Sequence, residues 1–127
     1  MRVAVVGSRN IVVTDIEKYI GECEEIVSGG AMGVDSCAAE YAENANITFT
    51  EILPDYKRYG RAAPIIRNKE IVDYADRVVA FWDGKSKGTQ SVIEYAEKVG
   101  KPCTVILCES STSPIKKRRP SEKGQRF

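Results

Sequence analysis

The sequence contains no histidine. That removes the usual general base and the commonest metal ligand, and it excludes an ordinary Ser-His-Asp triad. The four cysteines, Cys23, Cys37, Cys103 and Cys108, form no C-x-x-C pair. They read as free thiols in a reducing, cytoplasmic setting rather than as disulfides or metal ligands. No apolar run approaches the length of a membrane span, and Met1-Arg2 leads straight into a strand-like run. No signal peptide, anchor or membrane partner is therefore expected. No internal repeat is visible.

Net charge is also small, +1 over 127 residues, but it is unevenly spread. Residues 110–127 hold Lys116, Lys117, Arg118, Arg119, Lys123 and Arg126 against Glu122, a balance of +5, which leaves 1–109 at −4. An acidic body does not suit a domain that coats DNA. The segment 110–127, rich in Ser, Thr, Pro and base but poor in apolar residues, is expected to be a disordered basic tail. Apolar residues make up 43% of the chain and charged residues 29%, enough for one globular domain over 1–109 with a core of its own.

Strand-like and helix-like segments alternate. Arg2 to Val6 is a buried strand running into Gly7-Ser8-Arg9. Thr14 or Asp15 is placed to cap a helix reaching about Gly21. Glu25 to Ser28 is a second strand, and helical patterning follows from Val34 to Asn44, with Ala38, Ala39, Tyr41 and Ala42 on the packing side. Ile47 to Leu53 is a third strand. Asp55 to Gly60, after Pro54, reads as a loop. A helix is expected from about Ala62 to Tyr74, with Pro64 in its first turn. Arg77 to Trp82 is a fourth strand, Ser86 to Val99 a helix closed by Gly100, and Pro102 to Leu107 a fifth strand. This alternation predicts an α/β, Rossmann-like, doubly wound parallel sheet of order 3-2-1-4-5.

Ligands of such sheets lie beyond the carboxyl ends of the strands, where the strand order reverses. Three turns map there. The turn after the second strand is Ser28-Gly29-Gly30-Ala31-Met32-Gly33-Val34-Asp35. Its glycines permit positive φ or close backbone approach, and the following helix start suits an anion. Asp35 is a candidate helix cap or sugar-hydroxyl acceptor. The turn after the fourth strand, Asp83-Gly84-Lys85-Ser86-Lys87-Gly88-Thr89, joins glycines, lysines and hydroxyls at a helix start. It lacks the spacing of a Walker A loop. Gly7-Ser8-Arg9-Asn10, after the first strand, lacks the full G-x-G-x-x-G pattern. Arg67-Asn68 is a pair suited to a phosphate or ribose. Tyr56, Tyr59 and Trp82 are candidates for stacking on a base, or else for packing the core rim. Each feature also has an ordinary reading: tight turns, solvated lysines and helix-surface pairs.

In order along the chain, Val5-Val6-Gly7-Ser8-Arg9, the Ser28–Asp35 turn, Pro54-Asp55-Tyr56 with Tyr59-Gly60, Arg67-Asn68, and Phe81-Trp82-Asp83-Gly84 with Ser86-Lys87-Gly88-Thr89 resemble the short, single-domain YspA-type branch of the SLOG superfamily. The resemblance spans about residues 3 to 107. It implies a Rossmann-like domain that binds nucleotides or nucleotide derivatives, and it implies homo-oligomers, although no interface pattern stands in the sequence itself. No cofactor follows beyond a bound nucleotide or derivative. Two related families imply alternatives. The DNA-processing protein A family binds single-stranded DNA and shares Ser28-Gly29-Gly30-Ala31, Gly33-Val34-Asp35 and Arg67-Asn68; its histidine is Ala39 here. The LOG-type phosphoribohydrolases cleave the N-glycosidic bond of nucleoside monophosphates. Their arginine and glycine-threonine turn resemble Arg67 and Gly88-Thr89, but their following acids are Gln90 and Ser91 here, with Glu94 displaced along the helix. Candidate catalytic residues on that reading are Arg67, Asp35 and Glu94.

Overall fold

The computed structural model describes residues 1–8, 11–13, 15–29 and 34–108, apart from the side chain of Asp35. Along the described residues the elements run β1 (Arg2–Gly7), α1 (Glu17–Ile20), β2 (Glu25–Ser28), α2 (Val34–Asn44), β3 (Thr48–Glu51), α3 (Tyr56–Tyr59), α4 (Ala63–Tyr74), β4 (Arg77–Trp82), α5 (Lys87–Val99) and β5 (Cys103–Leu107). All neighbouring strands pair in parallel, and their order is β3-β2-β1-β4-β5. The sequence expectation of a doubly wound, Rossmann-like α/β sheet is met.

The apolar runs of β1 and β4 are continuous because both sheet faces are covered. Val3 and Val5 of β1, with Val79 and Phe81 of β4, pack beneath α1 and α2 through Ile16, Ile20, Val34, Ala38 and Ala42. Ala4, Val6, Val78 and Ala80 turn the other way, against Ile71 and Val72 of α4 and Val92, Ile93 and Ala96 of α5. The strand order reverses at β1, between the outward path to β2 and β3 and the path to β4. That reversal opens a crevice at the carboxyl ends of β1 and β4.

Several expected boundaries move. α1 is one turn long and begins at Glu17, with no side-chain cap. Asp15 instead pairs with Lys18 at 3.1 Å, and Thr14 lies outside the described residues. Ile11 and Ile16 are both buried, and the segment that buries Ile11 is not helical. β3 is shorter than Ile47–Leu53 because its only partner among the described residues is the four-residue β2, paired from Glu25↔Thr48 to Ser28↔Glu51. The expected loop at 55–60 holds α3, where Asp55 Oδ1 accepts from the Arg58 N–H at 3.2 Å, followed by a 3-10 turn over Gly60–Ala62. Pro64 does sit in the first turn of α4, and Gly100 ends α5 in the left-handed conformation. The tail 110–127 lies outside the described residues. Among the described residues no helix is long and apolar enough to cross a membrane.

Candidate functional site

A cavity of about 130 Å³ opens at the carboxyl edge of the sheet, beside the strand reversal. Val6 and Gly7 at the end of β1, Gly29 after β2, Arg67, Asn68 and Ile71 of α4, and Ser86, Gly88, Thr89 and Val92 at the start of α5 line it. Four segments far apart in sequence thus meet here, and all of them belong to the edge where α/β sheets hold ligands.

Arg67 is the one charged side chain among the described lining residues. It is half-buried and forms no ion pair with any described carboxylate. Its Nη1 donates to the Gly29 carbonyl at 2.8 Å, and its Nε donates to Asn68 Oδ1 at 2.9 Å. Neither acceptor carries a charge, so the full positive charge of the guanidinium remains available to the cavity. Gly29 makes this placement possible. A Cβ there would stand 2.8 Å from Nη1 and 3.1 Å from Cζ. The glycine is needed for close approach; its φ is not in the left-handed region.

The second donor group is the start of α5. Ser86 occupies the N-cap position but makes no side-chain cap bond, so the first N–H groups of this 13-residue helix have no side-chain partner. Thr89 is 5% exposed and lines the cavity. An anion placed here meets a helix N-terminus, two hydroxyls and a guanidinium.

The turn leading into α5 is fixed by side chains that do not line the cavity. Asp83 Oδ1 accepts from the N–H groups of Lys85 at 2.9 Å and Ser86 at 2.7 Å. The buried Ser8 hydroxyl accepts from the Asp83 N–H at 3.3 Å. Trp82 Nε1 donates to the Ser86 carbonyl at 2.9 Å. Gly84 takes φ +82°, the left-handed geometry that the turn requires. Burial pushes the Asp83 carboxyl up, but the hydrogen bonds from Ser86, Lys85 and Ser8 outweigh it and hold the group below its ordinary value.

A stability signature follows from that direction. Because the folded pKa is lowered, the contribution of ionised Asp83 is present above the ordinary value of 3.8 and is lost as pH falls through the folded value. At neutral pH the protein is expected to melt above Asp83→Asn. The gap should close as pH falls below 3.8, followed by circular dichroism.

Of the residues singled out in the sequence, Gly7, Gly29, Arg67, Asn68, Ser86, Gly88 and Thr89 come together at the cavity. Ser8, Asp83 and Gly84 build the adjoining turn instead, and Lys87 is exposed. Ser28 is fully buried, with no partner for its hydroxyl among the described residues. Asp35 is the second residue of α2, inside the helix rather than at its cap; its side chain lies outside the described residues. So do Arg9, Gly30, Ala31 and Gly33. Glu94 is exposed, accepts from Gln90 Nε2 at 3.1 Å, and does not line the cavity. Tyr56 and Tyr59 are not lining residues either, and Trp82 supports the turn.

The four cysteines are free and half-buried. Burial pushes the Cys108 thiol up to about 11, which keeps it protonated and unreactive near neutrality. Among the described residues no group of three side chains is placed to hold a metal ion.

No protein-family model, curated protein or solved structure matches the chain.

Proposed function

We propose that the chain is a SLOG-type binding domain whose cavity holds the phosphate of a nucleotide or nucleotide derivative. The observation that carries this reading is Arg67. A half-buried guanidinium is held by two neutral acceptors, with no described carboxylate to balance it, beside the uncapped start of α5. A partly desolvated cation held only by neutral acceptors gains from an anionic ligand. The cavity is smaller than the roughly 300–1,000 Å³ of whole small-molecule pockets, so it suits one end of a ligand, the phosphate. The ordered resemblance to the YspA-type sequences supports the nucleotide class. Four free thiols support a reducing, cytoplasmic setting.

A thermal-shift series with AMP, ADP-ribose, inorganic phosphate and adenosine tests the reading. The phosphorylated molecules are expected to raise the Tm while adenosine leaves it unchanged. A ligand at 100 times its Kd adds about 2.7 kcal/mol of stability. No shift with any phosphorylated molecule at millimolar concentration overturns the proposal, and free adenine accumulating from AMP would replace binding with hydrolysis.

A further inference from the structure

Arg67 and Asn68 are consecutive residues of one helix. Side chains at such spacing diverge by about 100° and do not ordinarily face each other. Here they meet at 2.9 Å, and both line the cavity. The contact therefore requires both side chains to bend toward a common side.

The geometry points to Asn68 as a positioning residue for anion binding, one that sets the plane of the Arg67 guanidinium. This inference rests on reading the cavity as a phosphate site. Guanidinium is donor-only, so the Asn68 atom facing Nε is its carbonyl oxygen, and the amide nitrogen turns away. The Gly29 carbonyl takes a second donor, on Nη1. Two fixed bonds to atoms of a planar group define its orientation. Three of the five N–H donors of the guanidinium then remain, two on Nη2 and one on Nη1.

The amide also explains the choice of residue. An aspartate at 68 would offer the same acceptor but would place a negative charge against Arg67 and cancel the attraction for an anion. A lysine at 67 has no Nε–H and no planar fork, so Asn68 could not orient it. Asparagine therefore supplies direction without charge.

The test is a set of binding titrations with AMP and inorganic phosphate. The variants are Asn68→Ala, Asn68→Asp, Arg67→Lys and the double variant Arg67→Lys/Asn68→Ala, each with its Tm recorded. Asn68→Ala is expected to weaken binding about tenfold, with the Tm close to that of the parent. Asn68→Asp should weaken it at least as much. In the Arg67→Lys background the further change Asn68→Ala should have no effect, because the positioning route is already gone. Unchanged affinity in Asn68→Ala or Asn68→Asp overturns the positioning role and leaves the phosphate site standing. An equal loss in both backgrounds also overturns it, since Asn68 would then act on the ligand directly. Failure of the parent protein to bind either probe overturns the site and this inference together.

Discussion

Arg67→Ala is expected to lower the affinity for AMP at least about 30-fold, measured by titration calorimetry. That loss corresponds to about 2 kcal/mol, within the range for a hydrogen bond to a charged group. Stability should change far less. Arg67 makes no ion pair with a described carboxylate, and the cavity is open enough for water to reach the two acceptors it leaves behind. Gly29→Ala should reach the same result by another route. The atom nearest its new Cβ, at 2.8 Å, is the far end of the flexible Arg67 side chain. The arginine therefore moves away, and binding falls while the backbone stays in place. A Gly29→Ala protein that binds AMP as tightly as its parent would show that the observed arginine position is not the one that binds.

Gly7→Ala should do the reverse and damage the fold itself. A Cβ at Gly7 would stand 2.5 Å from Val34 Cγ2, 2.7 Å from Val34 Cβ and 2.9 Å from the Phe81 carbonyl oxygen. None of these atoms has an easy escape. Val34 is fully buried and opens α2, and a β-branched residue in a helix has essentially one rotamer. The Phe81 oxygen accepts from the Ser8 N–H at 3.0 Å. Making room means separating α2 from the ends of β1 and β4. Overpacking of this kind costs about 1–3 kcal/mol, or a fall in Tm of about 4–12 °C for a domain of this size. Differential scanning calorimetry reads it directly, and a Tm within a degree of the parent would refute the packing account. The φ of Gly7 is not left-handed, so the cost comes from space and not from backbone conformation.

These two glycines show where sequence reading stops. Both stand at strand ends and both were legible as candidates for a pocket. Their reasons were not legible, because Arg67 lies 38 positions from Gly29 and Val34 is a distant neighbour of Gly7. The strands and their order were legible, since β1 and β4 are covered on both faces and so read as unbroken apolar runs. α3 was missed because four residues give no helical period; the Asp55 cap was its one signal. The apolar floor of the cavity, Val6, Ile71 and Val92, looks like any other core in sequence. Asp83 stands in the glycine turn after β4 and is a candidate only as part of that turn. Only the two N–H groups it accepts from reveal its service to the turn.

Trp82 is the only tryptophan in the chain. Its indole N–H is tied to the carbonyl of Ser86, a residue that borders the cavity. Indole emission responds to the polarity and hydrogen bonding around the ring. The protein therefore carries a native fluorophore wired to the rim of its candidate site, and occupancy can be followed optically without attaching a label.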